Sequence, residues 1–309
     1  MRRKIKNRKL YIAVFSLTGL VVLLFFVTKI QFRYESNAPV KILFVGDMFF
    51  DRQIRKVIAE RGADQILGCI SDFLKEFDLV VGNLEGPITD NPSISLGSEI
   101  GSPENFVFTF PPSTAKLLAK NNIRAVSIGN NHIGNFGYEG LTSTRRYLGE
   151  AGVDFFGGLE GDEDILRKEV GGVPFVFIAY NQFGGEDPLR VASKIKLERA
   201  ENQKAKIIVF AHWGEEYVGP TEHMRRSAKL FAESGADLVI GAHPHIIQEQ
   251  EMFGETPVYY SLGNFVFDQY WNKEVSTGLG VIASFDDQDL KTDTRKFDLR
   301  RSGQTCLVE

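Results

Sequence analysis

Cysteine and histidine are both in short supply in this 309-residue chain. The two cysteines, Cys69 and Cys306, make a poor disulfide pair, since one sits in a helical pattern and the other near a polar C-terminus. Two thiols also leave no thiolate-rich metal site to build. Charge is unevenly placed: the first nine residues hold Arg2, Arg3, Lys4, Lys6, Arg8 and Lys9 and no acid, so six positive charges sit there and the remainder stands at −10 within a chain of −4. A body so acidic offers no face to a phosphate backbone, and nucleic acid is disfavoured as its partner. The chain lacks a G-x-S-x-G elbow, a Walker loop and a G-x-G-x-x-G turn. That argues against a serine hydrolase and against ATP-driven polymer ligation. Internal repeats and low-complexity tracts are absent as well.

Apolar sequence is what the chain has in quantity. Hydrophobic residues make up 43%, with 25 phenylalanines, enough for one large core or two modest ones. The first stretch, Leu10 to Thr28, runs without a charge for close to the roughly 20 residues that cross a bilayer. With the basic cluster before it, this reads as an anchor whose flank stays cytoplasmic and whose C-terminal bulk faces outward. The organisation expected is a basic cytoplasmic tail over 1–9, a transmembrane signal anchor over 10–30, a linker over 31–40 and a soluble domain over 41–309. A cleaved signal peptide is the alternative, with Ser36-Asn37-Ala38 as its cleavage site.

Within the soluble part, apolar runs recur at Lys41–Val45, Leu79–Val81, Ala125–Ile128, Phe175–Ala179, Ile207–Phe210, Leu238–Ile240, Val258–Ser261 and Val281–Ser284. Runs of this kind suit strands covered on both faces. Helical patterns lie between several of them, over Ile66–Phe77, Ser113–Asn121, Tyr138–Ala151 and Thr221–Ser234. The alternation predicts an α/β domain with layered sheets. Asn91–Pro112, rich in Ser, Gly and Pro, is a long irregular connection suited to walling a cleft.

Polar clusters begin where the runs stop. Asp47 follows Val45 and Gly46, with Arg52 shortly after; Gly82-Asn83-Leu84-Glu85 follows Val81; Asn130-Asn131-His132 follows Ile128 and Gly129. His212 and Glu215-Glu216 follow Phe210, Gly241-Ala242-His243-Pro244-His245 follows Ile240, and Asn264 follows Ser261. Taken singly these are turn formers, caps, exposed charges or satisfied histidines. His223, inside a helix with Arg225 and Arg226, reads as a solvated surface residue. Jointly they mark the carboxyl ends of strands, where open α/β sheets bind ligands. The glycines before them would let the backbone turn sharply. Imidazoles, carboxylates and amides without thiolate suit Mn, Zn or Fe. The donors exceed what one tetrahedral ion needs, so two divalent ions are expected, with solvent as the nucleophile of an in-line phosphoryl hydrolysis.

The order of motifs GDMFFDR, GNLEGPIT, IGNNHIGNFGYEGL, AHWGEEY, GAHPHIIQ and YSLGNFVFDQ resembles the CapA/PgsA family of poly-γ-glutamate capsule synthesis proteins, within the calcineurin-like metallophosphoesterase superfamily. The resemblance implies a four-layer α/β/β/α sandwich with a dinuclear centre. It implies Asp47 and His245 on the first metal, and His212, His243 and Asn131 on the second. His132 would be a proton donor or transition-state stabiliser, and Arg52 would hold an anionic group. Glu216 and Asn264 would touch substrate. The chain departs from the superfamily in having Met48 and Phe49 where a first-metal histidine follows the aspartate. Asn83 stands in place of the bridging aspartate, with Glu85 able to supply the charge, and Asn135 replaces an aspartate. These departures weaken the first metal more than the second. The expected role is hydrolysis in the synthesis, export or anchoring of poly-γ-glutamate or a related envelope polymer, on phosphoester or amide bonds. The alternative is a non-catalytic, polymer-handling subunit. The expected partners are the bilayer, the polymer or another anionic substrate, and other capsule-synthesis membrane subunits.

Overall fold

Strand β1 (Val40–Met48) is buried at every position but Lys41. Its side chains divide by parity, Ile42 and Phe44 joining one apolar layer and Leu43 and Val45 another. A strand covered on both faces has to lie inside a layered structure. The computed structural model describes residues 38–159, 165–286 and 289–308, and the layers are plain in it. One sheet sets β1 beside β2 (Leu79–Leu84), β3 (Ile123–Ser127) and β4 (Asp154–Phe156), all parallel. Short β11 (Asn264–Val266) also pairs with β1, and β12 (Thr277–Phe285), β13 (Leu290–Leu299) and β14 (Thr305–Leu307) extend the other edge antiparallel.

The second sheet runs β5 (Ile165–Val170), β6 (Val173–Asn181), β7 (Lys206–His212), β8 (Leu238–Ala242), β10 (Thr256–Tyr259), β9 (Gln250–Phe253), with its four central strands parallel. Phe44, Val81, Phe177, Phe210 and Ile240 fill the space between the sheets. On the outer face of the second sheet, Ile207 and Val209 pack with residues of α6 (Pro188–Glu201) and α7 (Glu222–Glu233). On the outer face of the first lie α1 (Arg52–Arg61), α4 (Ser113–Lys120) and α5 (Gly137–Ala151). The order is therefore helix, sheet, sheet, helix, as expected.

Three expectations need correction. The Ile66–Phe77 pattern does not form one helix; it breaks into α2 (Asp64–Leu67) and α3 (Ser71–Leu74) around Gly68 and Cys69. Ile66, Leu67, Ile70 and Leu74 are still buried, so the periodicity reported a buried face and not a continuous helix. Cys69 and Cys306 are in fact disulfide-bonded, with Cα atoms 5.0 Å apart. The edge strand β14 brings residue 306 back beside α2, a juxtaposition that sequence distance hides. His223 is not simply solvated, because its Nε2 meets the Tyr180 hydroxyl at 3.0 Å. Helix α6 carries a start signal in its sequence: Asp187 caps it through Leu189 N and Pro188 opens it. The predicted tail and anchor at residues 1–30 lie outside the described residues. Among the described residues, no helix is long and apolar enough to cross a membrane.

Candidate metal centre

The parallel strands end together, and register sets the polar side chains in a row. Asp47 on β1 is aligned with Asn83 on β2 and with Asn264 on β11. Across the cleft His212 ends β7, aligned with Ala242 at the end of β8. The glycines beside them do not supply left-handed turns. A Cβ on Gly46 would stand 1.8 Å from the Gly263 carbonyl oxygen, and one on Gly241 would stand 1.9 Å from that of Tyr260. They are needed for close backbone approach. The left-handed positions belong to His243, His245, Arg52 and Tyr217, with φ of 95°, 56°, 46° and 62°. Such geometry costs about 1–2 kcal/mol per non-glycine residue. The two histidines thus reach one cleft through a strained turn, not through strand alternation, with ring centroids 5.9 Å apart.

Half of the cluster is fully hydrogen-bonded. Asp47 Oδ1 accepts from Asn83 Nδ2 at 2.8 Å, and Oδ2 accepts from the His243 backbone N–H at 3.1 Å. The same Asn83 nitrogen lies 3.3 Å from His212 Nδ1, and His212 Nε2 lies 2.8 Å from Asn131 Oδ1. Asn83 Oδ1 accepts from Asn130 Nδ2 at 3.1 Å.

The other half is not satisfied. Glu85 is wholly buried, yet neither carboxylate oxygen has a hydrogen-bond partner, and His243 Nδ1 has none either. His245 Nε2 approaches Glu85 Oε1 at 3.5 Å. Glu85, His243 and His245 can each direct one ligand atom to a common point, these atoms lying within 4.8 Å of one another. Burial, and then the neighbouring Asp47 charge, hold the Glu85 carboxyl well above its ordinary range. Burial pushes His243 down to about 4. Burial also acts to lower His245, but the Asp47 oxygen at 3.4 Å and Asn264 outweigh it and raise the imidazole. A buried carboxylate without a partner is costly, and a cation is the group that removes the cost. The donor set therefore fits a divalent metal.

Asn264, expected at substrate, is completely buried instead. Its Nδ2 donates to Val275 O and Gln269 Oε1, which leaves Oδ1 to accept from His245 Nδ1 at 2.9 Å. That bond turns His245 Nε2, with its lone pair, toward Glu85, the way metal-binding imidazoles are oriented from behind. Arg52 borders the site but its guanidinium fork is taken: Nε and Nη2 donate to Asp268 at 3.1 and 2.6 Å, and the ring of Phe49 lies 4.5 Å away. An anionic ligand would have to compete with Asp268. His132 sits against Phe108, with ring centroids 4.2 Å apart and Asn135 Oδ1 3.3 Å from its Nδ1; burial drives it down to about 3. It is neutral near pH 7, which favours a hydrogen-bonding over a proton-donating role.

The long connection 91–112 does wall the cleft. Buried Asp51 pins it by accepting from Ser95 Oγ and Thr109 N while holding Arg55. Glu216 is exposed at the rim, near enough to bear on Glu85, His243 and His245. Exposed Phe183, Tyr217 and Trp271 line the mouth. Asp51 carries no sequence signal beyond its place in GDMFFDR, whereas Asn130, a turn former by type, proves to hold Asn83, and Asp268 proves to hold Arg52. A cavity of about 590 Å³ beside Arg199, Lys204 and Lys206 is lined by neither the histidines nor Glu85.

Known proteins resemble this chain in sequence and in fold. The chain is 29% identical over 307 residues to the capsule biosynthesis protein CapA of Bacillus anthracis, covering 90% of this chain and 73% of that one. It is 28% identical over 256 residues to the PGA biosynthesis protein CapA of Bacillus subtilis (strain 168), covering 76% of this chain and 65% of that one. It thus spans about two-thirds to three-quarters of these relatives. A solved phosphatase from Mycoplasma pneumoniae shares the fold at a TM-score of 0.52 and 14% identity, over 84% of this chain and 93% of that one. The model of the bacterial capsule synthesis protein PGA_cap family matches residues 41–269, so the strand-end motifs and the domain that carries them place this chain in that family.

Proposed function

We propose that this capsule-family protein is a metal-dependent hydrolase, anchored in the membrane and facing outward, acting in the synthesis, export or anchoring of poly-γ-glutamate or a related envelope polymer. The observation that carries the reading is Glu85: a fully buried carboxylate with neither oxygen hydrogen-bonded and only His245 Nε2 near it at 3.5 Å, beside a His243 Nδ1 without a hydrogen bond. A divalent ion there supplies Lewis acidity and lowers the pKa of water. Glu85, His243 and His245 would hold it, with Asn264 and Asp47 orienting the imidazoles. His132 would offer a neutral hydrogen bond to the reacting group, and the 91–112 wall would limit solvent entry. The non-catalytic reading needs a cationic patch for a polyanion, and Arg52 is already paired with Asp268. The disulfide supports an extracytoplasmic domain, because such bonds persist in oxidising compartments.

The test is metal analysis of the full chain, followed by a screen of phosphoester, γ-glutamyl and peptidoglycan substrates. Wild type should carry a divalent transition metal, His243→Ala with His245→Ala should lose it, and activity should follow. Metal-free wild type would refute the proposal. Protease accessibility of Cys69 and Cys306 peptides on intact cells tests the outward orientation.

A further inference from the structure

We infer that the centre retains one tightly held divalent ion per chain, on Glu85, His243 and His245, and that the locked amide of Asn83 closes the second metal position. The inference rests on the metal-centre reading above, and the experiment below distinguishes failure of one from failure of the other.

The argument follows hydrogen-bond donors through the amide network. Asn130 Oδ1 accepts from two backbone N–H groups, those of His132 and Ile133, at 3.1 and 3.0 Å. An amide nitrogen cannot serve there, so this atom is the oxygen and the other is Nδ2. Asn130 Nδ2 donates to the Leu84 carbonyl at 2.8 Å, consistent with that assignment. Its second hydrogen points at Asn83, so the Asn83 atom 3.1 Å away must be an acceptor, Oδ1. The Asn83 NH2 is therefore the end that faces Asp47 and His212.

That nitrogen stands between Asp47 and His212, the second of which a second ion would need, and an amide nitrogen has no lone pair to give a metal. Turning Asn83 alone would set its NH2 against the NH2 of Asn130. Turning both would set the Asn130 NH2 against two backbone donors and its oxygen against the Leu84 carbonyl. All these groups are buried except the partly exposed His132. Each unmade buried hydrogen bond costs enough to weaken a second ion by roughly a hundredfold in all. His212 is meanwhile satisfied by Asn83 and Asn131, and both Asp47 oxygens already accept N–H donors. Within the cluster the side-chain atoms left without a hydrogen bond, those of Glu85 and His243, belong to a single site that His245 completes.

The full chain in mild detergent should be loaded with excess Mn(II), freed of unbound ion by gel filtration, and measured by elemental analysis and electron paramagnetic resonance. Wild type should retain one Mn(II) with the spectrum of an isolated ion. Asn83→Asp restores an oxygen toward Asp47 and His212 while its other oxygen still accepts from Asn130, and it should retain two ions with an exchange-coupled spectrum. His212→Ala should keep the single ion, and serves if Asn83→Asp does not fold. Two coupled ions in wild type, one ion only in folded Asn83→Asp, or loss of the ion in His212→Ala would each overturn the inference. No ion in wild type would overturn the metal-centre reading instead.

Discussion

Replacing Glu85 by glutamine is the sharpest test of the centre, because it keeps the shape and removes the charge. In wild type, an ion bound at 100 times its Kd stabilises the folded chain by about 2.7 kcal/mol. For a domain of this size, 1 kcal/mol moves the midpoint by roughly 2–4 °C, so saturating Mn(II) should raise Tm by about 5–10 °C. Glu85→Gln should reduce that gain to below about 2 °C, with a neutral amide left in place of the one carboxylate of the three ligands. The metal-free comparison carries a sign as well. The folded chain holds the Glu85 proton well above the ordinary value of 4.5, through burial and then Asp47. As pH rises past about 4.5, the unfolded chain releases a proton that the folded chain keeps, and stability is lost until the pH passes the folded-state pKa. In chelator, wild type should therefore lose stability relative to Glu85→Gln between pH 5 and 7. Thermal unfolding of the full chain, followed by tryptophan fluorescence with chelator or Mn(II) across that range, reads both effects. A Glu85→Gln variant that keeps the full metal-induced shift would refute the placement of the ion, and identical pH slopes would refute the unpartnered carboxyl.

Other residues give independent checks. Asn264→Leu should weaken metal affinity about 10–100-fold by releasing His245 Nδ1, which metal titration would show; unchanged affinity would return Asn264 to a substrate role. Asp51→Ala breaks a buried pair with Arg55 and frees the 91–112 wall, costing about 3–5 kcal/mol; denaturant unfolding and faster proteolysis within that segment are the readouts. Reducing Cys69–Cys306, or replacing both by serine, should cost about 2–4 kcal/mol from the long loop it closes, without changing metal content. Gly241→Ala, with its Cβ 1.9 Å from the Tyr260 carbonyl oxygen, should fall below wild type by more than 1 kcal/mol, whereas a glycine present only for loop freedom at an ordinary φ would tolerate alanine.

Much of this protein was legible in the order of its residues. Apolar runs with period-two burial, such as Ile42 and Phe44 against Leu43 and Val45, determine strands covered on both faces and so a layered α/β domain. Because parallel strands share a carboxyl end, the clusters after Val45 and Val81 had to align, as did those after Phe210 and Ile240; the stacking of the two sheets brings the two pairs together.

Only the tertiary structure decided how those side chains face one another. Which end of the Asn83 amide enters the site depends on Asn130, 47 residues away in sequence, and Asn130 is in turn held by backbone groups of its own turn. Arg52 loses its free fork to Asp268, 216 residues on, and Asn264 becomes the support of His245. Cys306 meets Cys69 because β14 adds to a sheet edge. Residue type and spacing determine which groups arrive at a site. The orientation of a hydrogen bond depends on partners that only the folded chain brings within reach, and here that orientation separates the satisfied residues from Glu85 and His243, which are not.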